Sequence, residues 1–304
     1  MDIINLQSTY KTPYQGRNWR DTKHELPIKP KDTLSFCDLR NCSLEGLDLS
    51  MVEFFGCRLN GTLFKGANLH KARFIGCFSS EDYDYPPTDF RGAISQDVSV
   101  VDSHLHYQAD EFLGDFNYLN DNFWMGKSPE AKWPDVVAAA ATETLSDRND
   151  VRYNAAAKLR DLDNPVVAPI LACLLADDEW DVRSIALETL GNLRHQEFPQ
   201  GDNILLQWMF LRLGDRHSIV RQKARNLVEI LSPPNDVLLA SINRMRSSES
   251  EERISGVLAA IELCRLDEQY SSLLEPQIIE SLLLDKAPEV RQESSYLREI
   301  LDDC

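Results

Sequence analysis

Four cysteines fall inside one stretch, CDLRNCSLEGLDLSMVEFFGCRLNGTLFKGANLHKARFIGC, residues 37 to 77. Thiols at this density suggest a thiolate metal site, a disulfide framework or a redox ladder. The chain has seven cysteines in 304 residues, an odd number in a chain too long for a small secreted scaffold. A reducing, cytoplasmic setting is therefore expected. Other chemistry is sparse. There is no Gly-rich phosphate loop, Gly-x-Ser-x-Gly, His-Glu-x-x-His or Cys-x-x-Cys. His104 and His106 alternate along a short β-like run and are expected on a polar outer face. His24, His70, His195 and His217 stand alone. Carboxylates are so frequent that no pair stands out as acid and base. The expectation is a protein that is not an enzyme, with no catalytic residue, no cofactor and no metal.

The spacing of the cysteines leads to the element that holds them. Stepping by five from Leu34 gives Leu39, Leu44, Leu49, Phe54, Leu59, Phe64, Leu69 and Phe74. Two positions before each, from Leu39 on, lies a small or medium apolar residue, with one Thr: Cys37, Cys42, Leu47, Val52, Cys57, Thr62, Ala67, Ala72. Cys77 continues this small series. Asp38, Ser43, Asp48, Glu53, Arg58, Asn68 and Arg73 alternate as the polar side, so Arg58 is expected to tolerate change. Neither a helix nor a simple strand has a period of five. A coil with one pentapeptide per side and about twenty residues per turn does. Cys37, Cys57 and Cys77 then stack on one face, one strand spacing apart, with Cys42 on the next. A one-sided stack does not converge on a metal, so the thiols are expected as small core groups.

This segment resembles the pentapeptide-repeat family, best at Ala67-Asn68-Leu69-His70-Lys71. The resemblance implies a right-handed quadrilateral β-helix. The phase breaks at SSEDYDYPP (79–87), an acidic loop with two tyrosines, and resumes at Phe90, Ser95, Val100 and Leu105. The expected layout is an N-terminal arm (1–32), a β-helix of about three turns (33–106) and an aromatic cap and joint (107–133). Phe112, Phe116, Tyr118, Phe123 and Trp124 would close the open coil end.

After Pro134 the period becomes helical. Val-Arg recurs in DVRYNAAAKL, DVRSIALETL, IVRQKARNLV and EVRQESSYL, with a divergent copy in EERISGVLAA. The arginines are Arg152, Arg183, Arg221, Arg253 and Arg291. An apolar helix precedes each. This resembles five HEAT-type repeats over 134–304, so the fold class is a β + α two-solenoid protein. The resemblance implies that these arginines bind carboxylates or carbonyls at neighbouring turns; the alternative is a guanidinium row for an anionic ligand.

Net charge is −17 and the pI about 4.8. A surface this negative repels phosphate backbones and attracts basic proteins. No run of 18 apolar residues exists, so no membrane contact is expected. The N-terminus lacks a basic-then-apolar leader pattern. Two solenoids offer long surfaces, which favours binding another protein. Candidate contacts are Glu81, Asp82, Tyr83, Asp84 and Tyr85 in the insert, Trp180 in a turn, and Tyr153, Glu188, Tyr296 and Glu299 on the second helices. Ser184 and Glu262 are also expected to face outward there. The expected function is a scaffold that neutralises a basic partner, foremost as an immunity protein of a bacterial toxin. The alternatives are an acidic DNA mimic acting on a topoisomerase-like enzyme and a HEAT-type phycobilin lyase or chaperone.

Overall fold

The computed structural model describes residues 14–80, 86–101, 103–109, 117–118, 133–162, 166–193 and 202–302. The five insert residues Glu81 to Tyr85 and the aromatic side chains Phe112, Phe116, Tyr118, Phe123 and Trp124 lie outside what it describes.

The first part is a parallel coil of short strands: β1 (Tyr14–Gln15), β2 (Thr33–Ser35), β3 (Glu53–Phe55), β4 (Arg73–Ile75), β5 (Phe78–Ser79), β6 (Thr88–Asp89), β7 (Ser99–Val101), β8 (His104–Leu105), β9 (Tyr107–Gln108) and β10 (Asn117–Tyr118). One sheet runs β1-β2-β3-β4-β7-β10; β5 pairs with β8 and β6 with β9. Leu34 sits beside Phe54 and Phe54 beside Phe74, which is the twenty-residue step. Three further lines of parallel bridges run through Asp38–Arg58–Phe78, Ser43–Leu63–Asp89 and Asp48–Asn68–Ile94. Past the insert the step lengthens: Phe74 pairs with Val100.

The large positions fill the interior. Leu34, Leu39, Leu44, Leu49, Phe54, Leu59, Phe64, Leu69 and Phe74 are all fully buried. Phe54 stacks on Phe74 at 4.7 Å and Phe64 on Phe90 at 4.8 Å between ring centres. The small positions do more than fit. Cys37, Cys57 and Cys77 direct their thiols at the carbonyls of Tyr14, Leu34 and Phe54, 3.2 to 3.4 Å away, in the preceding coil. Thr62 and Thr88 do the same with hydroxyls to Leu39 and Leu59, both 2.8 Å. A buried carbonyl can accept a second bond, and a small donor at this slot supplies it. Burial pushes the Cys37 and Cys57 thiols well above their ordinary pKa, and that of Cys42 up to about 11. All three therefore stay protonated at neutral pH and act as donors.

Two expectations change. Residues 14–32, read as an arm, begin the coil: Tyr14 pairs with Leu34, and Asn18 bridges to Asp38. The five-step breaks at His24 and Lys29, and Leu26 and Ile28 fill the core out of phase. Arg58, read as a solvent-facing residue, is only 7% exposed.

Among the described residues the second part forms five helix pairs: α1 (Asp135–Glu143) with α2 (Asn149–Leu159), α3 (Val167–Leu174) with α4 (Trp180–Asn192), α5 (Asp202–Phe210) with α6 (Ser218–Leu231), α7 (Asn235–Ile242) with α8 (Ser250–Leu266), and α9 (Pro276–Leu283) with α10 (Pro288–Asp302). The second helices pack in series, α2 on α4, α4 on α6, α6 on α8 and α8 on α10. The molecule is thus a β solenoid followed by an α solenoid. Among the described residues no helix is long and apolar enough to cross a membrane.

The two parts share one core. Phe36, Phe55, Ile75, Phe78 and Val101 point out of the coil and pack in one cluster with Val137, Ile170, Cys173 and Trp208 of the helices. The coil interior forms a separate cluster. Phe78 also stacks on Trp133 at 5.2 Å, and His104, expected on a polar outer face, stacks on Phe78 at 5.9 Å.

Candidate interaction surface

The recurrent arginines are turn clamps. Arg152, Arg183 and Arg253 each grip one aspartate of the following repeat with two bonds of 2.7 to 2.9 Å: Asp177, Asp215 and Asp285. The remaining nitrogen of each donates to two carbonyls of its own turn, such as those of Asp177 and Asp178 for Arg183. Burial alone would raise the pKa of Asp215, but the bonds from Arg183 and the His217 N–H hold it below the ordinary value. Arg221 departs from the pattern because the following turn has Ser247 where the others have Asp. It turns to Glu262 instead, at 3.2 Å. Glu262 also takes Arg225 at 2.9 Å and is 4% exposed, so it is a buried hub and not the outward residue expected. Ser184, at 5%, is likewise buried.

The expected contact residues fall in two places. Tyr153, Glu188, Tyr296 and Glu299 lie on second helices: Tyr153 on α2, Glu188 on α4, the last two on α10. Tyr153 and Tyr296 are exposed. Glu188 is half-buried and pairs with Lys223 and, at 3.5 Å, with Arg160. The Tyr296 hydroxyl accepts from Arg265 at 2.5 Å, with the guanidinium 5.3 Å from its ring. Trp180 stands apart, at the first residue of α4 on the turn edge. It is 39% exposed and stacks on His217 at 4.1 Å with 12° between planes. Asp178 and Glu179 beside it are exposed and make no ion pair among the described residues.

A second feature escaped the sequence reading. At the joint, Arg40 donates to both oxygens of Asp38 (2.9 and 2.7 Å) and to the carbonyl of Leu145 at 2.7 Å. Arg20 reaches Asp147 at 2.9 Å. These coil arginines meet the first helical turn as Arg152 and Arg183 meet the next ones, so the clamp series starts on the coil. Burial would raise the pKa of Asp38; the bidentate Arg40 and the nearby Arg58 outweigh it and lower the value. Among the described residues no group of three or more His, Cys, Asp and Glu could hold a metal ion.

Residues 33–70 and 55–78 match the family model for pentapeptide repeats, with 8 copies. The coil carries pentapeptide repeats. Residues 167–193, which span α3, its turn and α4, match the HEAT repeat model. The pentapeptide repeats thus precede the HEAT repeat in the chain, and architectures of this kind serve as protein-binding scaffolds. No match is found among curated proteins. Among solved structures, the chain is similar to a designed armadillo repeat protein, YIII(Dq.V1)4CPAF in complex with peptide (KR)4. Identity is 14%, coverage 53% of this chain and 80% of that one, and the TM-score 0.28.

Proposed function

We propose that this chain is a non-catalytic, cytoplasmic scaffold that binds and masks a basic protein partner, in the manner of an immunity protein for a bacterial toxin. The observation that carries the reading is Trp180, a half-exposed indole held flat on His217 and flanked by the exposed carboxylates Asp178 and Glu179, which make no ion pair among the described residues. A rigid aromatic anchor costs little entropy to bury, and neighbouring carboxylates favour a Lys- or Arg-rich partner. The acids Glu81, Asp82 and Asp84 of the insert, with 11 acidic against 3 basic residues over 79–132, add long-range steering. Tyr153, Tyr296 and Glu299 offer a second, separate set of contacts on the second helices. We also read the coil as the right-handed quadrilateral form that the family resemblance implies.

The test is capture of the partner from the native host, its identification, and binding kinetics with purified proteins. Joint replacement of Asp178 and Glu179 by Lys is expected to slow association about tenfold and flatten its salt dependence. Trp180→Ala is expected to speed dissociation by about thirtyfold, as loss of an anchor worth about 2 kcal/mol does. Kinetics indifferent to salt and to both changes would reject this face.

A further inference from the structure

The joint encloses a cavity of about 270 Å³ whose lining includes Arg17, Arg20, Arg40, Arg58 and Arg152. Four of these have evident roles or lie at the mouth. Arg40 is bound to Asp38 and Leu145, Arg152 to Asp177, and Arg20 to Asp147, while Arg17 is exposed. Arg58 is different. It is 7% exposed, its Nη2 lies beneath the lining and has no hydrogen-bond partner among the described residues, and Nη1 is 3.8 Å from Asp38. Asp38 already gives both oxygens to Arg40. Two guanidinium groups therefore share one carboxylate here, while over the whole lining Asp38, Asp147, Asp177, Asp178 and Glu179 balance the five arginines.

A buried guanidinium that lacks a hydrogen-bonded acceptor is unfavourable unless something completes it. Its planar fork matches the two oxygens of a carboxylate or phosphate. We propose that this cavity seats a small oxyanion, a carboxylate or phosphate group, on Arg58. The rim also carries Asp178 and Glu179, which an anion would meet on entry. Both are exposed, so water and salt weaken their repulsion, whereas Arg58 acts at short range from a buried position. The balance favours a compact anion that reaches the floor over an extended one that stays at the rim. The seat adjoins the proposed partner face, with which its rim shares Asp178 and Glu179, but it rests on Arg58 and is tested without the partner.

The test uses the full chain in thermal unfolding, with inorganic phosphate and malonate titrated at constant ionic strength made up with sodium chloride. At about a hundred times the Kd the melting temperature should rise by a few degrees and saturate. Arg58→Gln should abolish the rise, and Arg91→Gln, an exposed arginine on the coil, should keep it. Should Arg58→Gln not fold, Arg58→Lys retains the charge without the fork and should bind at least about tenfold more weakly. On the wild type alone, the Arg58 side-chain N–H resonance should shift with added anion. Saturation at lower phosphate than malonate assigns the seat to phosphate, and the reverse order to a carboxylate. No saturable effect of either anion, or an effect that survives Arg58→Gln, overturns the proposal and leaves a cavity filled by water.

Discussion

A Cβ on Gly16 would lie 2.1 Å from Cη2 of Trp208. The indole of Trp208 donates to the Ala172 carbonyl at 2.7 Å and stacks on Phe36 at 6.2 Å, so it cannot retreat without breaking both. Two coils along, Gly56 makes room for Phe36 in the same way, with a would-be Cβ 2.7 Å from the ring. Both glycines have φ of +60°, and Phe36 between them adopts φ of +56° despite its bulk. The strain at Phe36 is tolerated because its ring is wedged between the two solenoids.

Gly16→Ala should therefore destabilise by about 2–3 kcal/mol, combining overpacking with left-handed strain. Gly46→Ala has the strain alone, since nothing lies within 4 Å of its would-be Cβ, and should lose about 1 kcal/mol. Denaturant unfolding of both checks the difference. Equal losses would mean that the joint yields around Trp208.

Leu49 is fully buried and Lys65 is exposed on the same coil. Leu49→Asp is expected to lower stability by several kcal/mol and to prevent soluble expression at warm temperatures. Lys65→Asp should stay within about 0.5 kcal/mol of the parent. Similar melting temperatures for the two would reject the pentapeptide register.

Within the arginine series, position decides the effect. Arg183→Ala strands the 4%-exposed side chain of Asp215 and should lose about 3 kcal/mol or more. Arg291→Ala removes only bonds to the carbonyls of Asp285 and Lys286 at an exposed site, and should lose about 1 kcal/mol or less. Calorimetry of the pair is the check, and a larger loss for Arg291→Ala would contradict the clamp reading.

Acid should act through Asp38 and Asp215, whose folded pKa values lie below the ordinary 3.8. A lowered folded value means that the unfolded chain takes up protons first. The stability that these two contribute is complete above 3.8 and is lost as pH falls from there through the folded values. Asp215→Asn should lower stability at neutral pH and make the fall below pH 4 shallower; the slope of unfolding free energy against pH reads it directly. An unchanged slope would show that Asp215 is not linked to folding.

The coil interior was legible because its period is strict: each of Leu34 to Phe74 in steps of five is a core residue. The helix pairs were legible because Val-Arg marks four of the five second helices and Glu252-Arg253 holds the same place in α8. The joint was not. Phe36, Phe55, Ile75 and Phe78 stand where the pentapeptide pattern wants polar residues, and that departure was the available signal for a buried outer face. Arg40 and Arg58 gave no such signal, because an arginine at an outward coil position looks the same whether it meets water or a helix. Glu262 was misread for a related reason: helical spacing places it outward, and only the convergence of Arg221, Arg225 and Arg265 draws it in.

The outward row Phe36, Phe55, Ile75 and Phe78 has a further consequence for how the protein is made. Synthesis delivers the coil first, and its apolar wall stays wet until α3 and α5 leave the ribosome. A chain stopped near residue 110 would carry a completed β core and a sticky flank. Such a fragment should pair with itself or with chaperones instead of standing alone. The helices in turn start on a wall already laid, with Arg20 and Arg40 in place to receive the first turn. Shuffling either half onto another protein would therefore break a folding template, which makes the two solenoids a single heritable unit.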